Sequence, residues 1–544
     1  MHELWARLLV EGFAAPAALP LLQRLSARVA EGDTGMTLRA AEAEILLASG
    51  LAERPPASRG APLVLDGDWL CTRRVWQHEQ RLAEQLQRRA AELPPAVDAA
   101  ELAAAFPPAP DDAPFAVREA LAAARRAAEL ACRHGLTLLL GGPGCGKTTL
   151  AARLIALLAR TAQQRGRPLP LVVLAAPTGK AAARLAEALG EGLRAAGLDA
   201  AACAALTAWS STLHRLAMSR TLQSPDWAVI DEASMADAAL LDQALARLPP
   251  SCRVLLLGDP DQLASVEPGR VLSDLALLPP THPLARCTAR LSYNWRAREA
   301  PALAATIAAL QRGDDEAALA SFVPPAASDG VSQEELPGSP AALIAALQAR
   351  HSAWLAAWRA ASAPEDCLAL LPRLRLISVL RQGPWGCEAL NALWEQQLAG
   401  LRAGLPYRGR PVLITANRPE LGVANGDLGV CWPEGAGWAV HLATPGGVRV
   451  LPLHRLPRLQ PAWFLTVHQA QGSQGEAIEV IGLPPLANEA QRRLATREMV
   501  YTAVTRAQRR AWLWWDEAGL RQALAQRESA RRRSGLRQRL SASP

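Results

Sequence analysis

The stretch Gly141 to Thr149, read as GGPGCGKTT, constrains this chain more than any other. It fits the Walker A spacing: Gly141, four residues, then Gly146, Lys147 and Thr148. Such a loop works only between a buried strand and the start of a helix. The flanks supply both, since the apolar run Leu136 to Leu140 reads as a strand and Leu150 to Ala159 as a helix. The glycines let backbone N–H groups turn inward around phosphate oxygens, and the helix N-terminus adds partial positive charge. The whole run Gly141, Gly142, Pro143, Gly144, Cys145, Gly146, Lys147, Thr148 and Thr149 is therefore read as nucleotide-binding. Lys147 would reach the β- and γ-phosphates of ATP, and the Thr148 hydroxyl would ligate Mg²⁺. A glycine-rich turn with a chance lysine is the competing reading, and the strand and helix on either side argue against it.

Composition bears on the same loop. Of 58 basic side chains only two are lysine, Lys147 and Lys180. A bias towards arginine has replaced lysine wherever a guanidinium would serve, so the survivors mark places that need a compact ammonium. The net charge of +7 leans towards a polyanionic partner, although an arginine-rich solvated surface would read the same way. Nine cysteines without a C-x-x-C pair argue against zinc, an iron–sulfur cluster or a secreted disulfide framework, and fit a reducing cytoplasm. No signal peptide and no apolar run of membrane-spanning length is visible, so no membrane partner is expected.

The chain length suggests several domains. Residues 1–114 read as a helical module, with amphipathic spacing at Leu21 to Ala30 and Val75 to Leu93. The second segment, dense in Arg, Glu and Gln, reads as solvated or partner-facing. From 115 to 283 strands and helices alternate, which implies a parallel α/β sheet. Its strands end in chemistry: Leu171 to Ala175 leads to Pro177-Thr178-Gly179-Lys180, and Trp227 to Asp231 leads to Glu232-Ala233-Ser234. Arg253 to Leu257 delivers Gly258-Asp259-Pro260-Asp261-Gln262-Leu263 at the same edge, where such sheets bind ligands. Asp231 would hold Mg²⁺ and Glu232 would activate water. Gln262 could sense the γ-phosphate. His214 is a polar residue in a short segment, and a lone histidine is more often structural. Residues 284–544 read as a second α/β unit. It has a linker or surface loop at 324–340, a small β-module at about 404–458 and strands near Leu374, Phe464, Ile478 and Ala511. A basic tail from Arg531 is expected to be poorly ordered.

The ordered set GGPGCGKT, APTGKAAARL, DEAS, GDPDQL, LSYNWR, TVHQAQGSQG and VYTAVTRA resembles superfamily 1 helicases of the RecD family. The resemblance implies an α/β fold: two RecA-like P-loop motor domains, an N-terminal helical docking domain and a small β-barrel-like insertion. It implies ATP-dependent 5′→3′ movement on DNA, single- and double-stranded DNA ends as substrate, and ATP with Mg²⁺ as cofactors. It also implies RecB-like and RecC-like partners in a heterotrimeric helicase–nuclease of the exodeoxyribonuclease V type, acting in recombinational repair. Lys147, Glu232, Gln262, Arg296 and Arg506 would be catalytic, the two arginines as fingers, with Thr148 and Asp231 on the metal. Thr178, Lys180, Thr466 and His468 would line the DNA track or its coupling to ATP, and His214 joins them as a DNA-binding candidate from its place in the sequence. Three departures stand out: Gln469 and Gln474 replace a usual Lys and Glu, Trp295 replaces Tyr, and no clear adenine-reading glutamine precedes the Walker A loop. There is no paired-carboxylate nuclease cluster with a lysine, so nuclease activity would belong to a partner chain. A regulatory subunit that binds nucleotide without translocating remains the alternative, supported by the departures in TVHQAQGSQG.

Overall fold

A computed structural model describes residues 2–56, 60–93, 97–219, 224–399, 405–444, 447–456 and 458–541. The N-terminal helices His2–Gly12, Leu19–Ala30 and Ala40–Ala48 bury Leu22, Leu25 and Leu46. They flank a sheet that helical periodicity did not signal: β1 (Gly35–Thr37), β2 (Ala52–Glu53), β3 (Leu63–Asp66) and β4 (Trp69–Thr72), in the order β1-β4-β3-β2. Strands of two to four residues carry too little alternation to stand out.

The helix Arg73–Ala91 is the main correction to the sequence reading. One face, with Arg74, Gln77, Arg81, Glu84 and Arg88, is exposed as expected; the other face, which the sequence reading missed, clamps the first motor domain. His78, Glu79, Leu82, Gln85, Leu86 and Arg89 are buried on it. The fully buried Arg89 donates to the carbonyls of Leu245 (3.2 Å), Leu248 (2.9 Å) and Cys252 (2.8 Å). It thereby gathers carbonyls in and after the last turn of the helix Ala238–Leu245, where Leu245 also accepts the Leu248 N–H at 3.1 Å. Asp242 on that helix accepts from Gln85 (2.7 Å) and Arg81 (2.8 Å) and lies 2.7 Å from His78 Nδ1. His78, Glu79, Arg81 and Arg89 on this helix are thus there to pair or to cap.

The first motor sheet holds β5 (Leu136–Gly141), β6 (Val172–Ala176), β7 (Trp209–Thr212), β8 (Trp227–Ile230), β9 (Arg253–Gly258) and β10 (Thr288–Leu291). Their order is β10-β5-β9-β8-β6-β7 and every pairing is parallel. All C-terminal strand ends therefore face one way. The boundary expected at 283 falls short, because β10 pairs with β5. The second sheet is also parallel: β11 (Gly330–Glu334) and β12 (Leu374–Ser378) precede an inserted module, and β18 (Phe464–Thr466), β19 (Gly475–Ile481) and β20 (Ala507–Trp514) follow it, in the order β11-β20-β19-β12-β18. The segment read as a linker at 324–340 thus contains an edge strand. Its polar Ser, Gln and Glu look loop-like, yet Ser332 is buried against Arg510.

The insertion is an antiparallel sheet of β13 (Arg410–Ile414), β14 (Leu428–Glu434), β15 (Gly437–Thr444), β16 (Gly447–Pro452) and β17 (Leu459–Pro461), in the order β16-β15-β14-β13-β17. Within the expected module, Gly404, Pro445, Gly446 and Pro457 lie outside the described residues. Trp354, Trp358, Trp394 and Trp463 pack together beneath this module, with ring centroids 5.0 to 6.1 Å apart, so these tryptophans are core. No described helix is long and apolar enough to cross a membrane.

The tail expected to be poorly ordered is a strap. Arg533 N–H donates to Asp33 (2.6 Å), and the Arg533 carbonyl accepts from Thr34 N–H (2.9 Å). Leu536 and Leu540 enter the core shared by the clamp helix and the first motor sheet. Arg539 pairs with Glu79, both almost fully buried. Removing one partner of a buried pair costs about 3–5 kcal/mol because the other charge is stranded. Arg539→Ala should therefore lower unfolding stability by about that amount in urea titration. The double change Arg539→Met with Glu79→Leu should recover most of the loss. The same wiring means that deleting residues 1–110 would strip the clamp from the first motor domain, so that truncation should impair ATP turnover as well as docking.

Candidate active site

The Walker A loop leaves β5 and enters the helix Lys147–Gln164 through Gly146, whose φ of 82° only glycine adopts cheaply. Lys147 Nζ donates to the carbonyls of Gly141 and, at 3.0 Å, of Gly142. A Cβ on Gly142 would meet the Tyr501 hydroxyl at 2.9 Å and Gln311 Nε2 at 2.7 Å. This glycine is therefore small because the second motor domain presses against it.

The loop opens into a cleft of about 640 Å³. Gly142, Pro143, Gly144, Cys145, Gly146, Lys147, Thr148, Thr149, Asp231, Glu232 and Gln262 line it from the first domain, and Gln474 and Arg506 from the second. Asp231 follows β8, and its Oδ1 accepts the Glu232 N–H at 2.8 Å. Glu232 sits at φ 51°, a left-handed conformation that is costly for a residue with a Cβ and that concentrates at functional sites. Burial, and then the negative charge of Glu232, push the Asp231 carboxyl above the usual carboxylate range, while Lys147 opposes the shift.

A hydrogen-bonded bridge crosses the cleft. Asp259, buried at the end of β9, accepts from the Tyr501 hydroxyl at 2.8 Å and from Gln262 Nε2 at 3.1 Å. Gln262 Oε1 accepts from Arg506 Nη2 at 3.2 Å, and Leu263 N–H donates to Thr502 Oγ1 at 2.9 Å. Arg506 is held by the Thr502 carbonyl at 3.1 Å. Burial lowers its proton affinity, and the carboxylates of Glu232 and Asp259 oppose that. A second bridge runs from Arg184 Nη1 to the Gly472 carbonyl at 2.9 Å. Asp259 and Tyr501 lie within GDPDQL and VYTAVTRA, and Arg184 within APTGKAAARL, but no local feature of those motifs marks them as bridging residues. One signal was available: Tyr501 is one of three tyrosines in the chain.

Arg296 belongs to the turn Trp295–Arg298, and the Trp295 N–H donates to the Gly144 carbonyl at 3.0 Å. The Arg296 side chain lies outside the described residues.

The residues assigned to a DNA track lie outside this cleft, at the strand ends. Thr178 follows β6 and caps the helix Gly179–Ala195 by accepting from Ala181 N–H at 3.2 Å. Lys180, half-buried, faces the inserted module: burial, Arg375 and Arg184 hold its ammonium well below the usual lysine range, and Asp427 is its counter-charge. Thr466 is buried and caps the short helix Val467–Ala470, and burial lowers His468. His214 is exposed beyond β7. Gln469 has a role a lysine could not fill. Its Oε1 accepts the Thr466 N–H at 2.9 Å, completing a capping box, and its Nε2 donates to Gln460 on β17 at 3.2 Å.

Comparison with known proteins agrees with this geometry. Residues 121–323 match an AAA domain, and residues 461–514 match a UvrD-like helicase C-terminal domain. The chain is similar to the RecBCD enzyme subunit RecD of Mycolicibacterium smegmatis, 36% identical over 520 residues covering 91% of this chain and 85% of that one. The subunit of the same name from Mycobacterium tuberculosis is 37% identical over 76% of this chain and 72% of its own. An ATP-dependent RecD2 DNA helicase of Deinococcus radiodurans is 31% identical over 69% of this chain, but this chain spans only 46% of that longer protein. With two parallel sheets facing one P-loop cleft, and with this extent of similarity, the chain belongs to the RecD family of helicases.

Proposed function

We propose that this ATP-dependent DNA helicase moves 5′→3′ on single-stranded DNA as the motor subunit of a RecBCD-type helicase–nuclease. It would work with RecB-like and RecC-like partners on double-strand ends. The observation that carries the reading is the bridge Asp259–Tyr501 and Gln262–Arg506, which ties the nucleotide cleft to both motor domains. The degree of similarity supports the subunit form, since RecD subunits are 36–37% identical over 91% and 76% of this chain and the RecD2 helicase 31% over 69%.

In this reading, backbone N–H groups of 142–148 and the Lys147 ammonium bind the β- and γ-phosphates. The oxygens of Thr148 and Asp231 suit Mg²⁺, a hard cation that takes one or two protein ligands beside phosphates. The raised Asp231 carboxyl beside Glu232 marks a place where a cation would relieve two adjacent negative charges. Mg²⁺, when bound, neutralises charge developing on the phosphates. Glu232 takes the proton of the attacking water. Arg506, directed by Gln262, stabilises the transferring phosphoryl group as a finger from the second domain, and Arg296 is placed by sequence to do likewise. Because Arg506 and Gln262 are bonded to each other, loss of the γ-phosphate changes the contacts between the domains. Thr178, Lys180, His214, Thr466 and His468, at the strand ends, would pass that change to DNA.

Three measurements test this in the assembled complex, with the partner motor inactivated at its own Walker lysine. Unwinding should favour 5′-tailed over 3′-tailed duplexes; the reverse preference would refute the polarity. Glu232→Gln should keep nucleotide binding and lose about 10²–10⁴-fold in turnover. Lys147→Arg should lose at least about 10²-fold in DNA-stimulated hydrolysis, since a planar guanidinium displaces phosphate by about 1 Å. Wild-type turnover in either variant would count against its assigned role.

A further inference from the structure

Part of the nucleotide cleft's lining forms an apolar slot. Phe106, Leu121 and Ala124 form one wall, ahead of the Walker A loop. Trp295 stands over that loop, its indole 3.4 Å from where a Cβ on Gly146 would lie, and Tyr293 packs edge-on against it at 4.8 Å. The charged side chain at this end is Arg153. It is already committed, stacked 4.9 Å from the centre of the Phe106 ring and donating to the Ala105 carbonyl at 2.6 Å. The carboxamides of the cleft lie beside Arg506. Gln262 is bonded to Arg506, and Gln474 precedes Gly475, whose N–H donates to the Arg506 carbonyl at 3.0 Å.

Reading adenine against guanine takes fixed donors and acceptors. A carboxamide bonds both N6 and N7 of adenine, whereas a hydroxyl donates or accepts as needed and serves either base. Among the described residues of the slot the side-chain polar groups are the hydroxyls of Thr149, Ser292 and Tyr293, the Trp295 indole N–H and the committed Arg153. Stacking on an aromatic face is tolerant of base identity. A site built to hydrogen-bond one partner rejects the other by about 10⁴–10⁵-fold, and an apolar pocket does so by orders of magnitude less.

We propose that this slot holds the nucleotide base by stacking and apolar contact without reading its hydrogen-bonding edge, so that the motor hydrolyses GTP nearly as well as ATP. The proposal rests on the cleft being the nucleoside triphosphate site. Trp295 and the Phe106–Leu121–Ala124 wall are then its specificity determinants, and the selection is for a flat ring over no ring.

The test is steady-state hydrolysis of ATP and GTP with saturating single-stranded DNA, in the complex whose partner motor is inactivated. The expected ratio of kcat/KM for ATP over GTP lies within about tenfold. Trp295→Ala should raise KM for both nucleotides by the same factor and leave that ratio unchanged. A preference for ATP beyond about tenfold, or a Trp295→Ala effect on ATP alone, would overturn the proposal while leaving the motor function intact. Failure to hydrolyse either nucleotide would overturn both.

Discussion

The arrangement depends on a buried hydrogen-bonded bridge across the nucleotide cleft. Asp259 is 1% exposed and would be costly to bury alone, so it needs the Tyr501 hydroxyl and the Gln262 amide. Those two groups belong to different domains, and the price of burying the carboxylate is met only when the domains are together. Gln262 in turn aims the Arg506 guanidinium, which is itself 2% exposed. In a low-dielectric cleft each of these groups is worth more paired, and costs more unpaired, than it would in water. A ligand that changes one of them therefore changes the preferred spacing of the two sheets.

That bridge can act as a switch because the frame around it is tied down elsewhere. The clamp helix Arg73–Ala91 fastens the N-terminal module to the first motor domain through Asp242 and Arg89. The C-terminal strap then returns from the second domain to close on both, through Asp33, Glu79 and the Leu536–Leu540 contacts. The inserted β-module meets the motor near Gly179, where a Cβ would lie 2.3 Å from that of Ala424. Gln469 joins β17 to the helix that Thr466 caps. The ties around the cleft thus run to the strand ends, where Lys180 and Asp427 carry opposite charges on motor and module.

The nucleotide site was legible in the sequence because phosphate chemistry demands particular residues at strand ends in a set order. GGPGCGKT, DEAS and GDPDQL stand where β5, β8 and β9 finish. Roles that depend on distant partners were not legible. Arg89 and Arg539 look like surface charges until Cys252 and Glu79, far along the chain, are brought to them. Gln469 stood out as a departure from a usual Lys, and only the structure shows that its carboxamide completes a cap that an ammonium, which has no acceptor, could not make. β11 was hidden by polar residues that turn inward, and β1 to β4 by their shortness. The apolar base slot is made by Phe106, Leu121 and Trp295, which are 15 and 174 residues apart in succession, so no local motif could show it.

The central claim is that Gln262 and Arg506 act as one unit across the cleft. A double-mutant cycle on DNA-stimulated ATP hydrolysis measures this directly, with Gln262→Ala, Arg506→Ala and the combined variant. Residues that work as a unit are strongly non-additive, so the double variant should turn over no more slowly than Arg506→Ala alone. Losses that multiply, with each change costing the same in the presence or absence of the other, would show two independent residues and contradict the bridge as the link between nucleotide and domain movement.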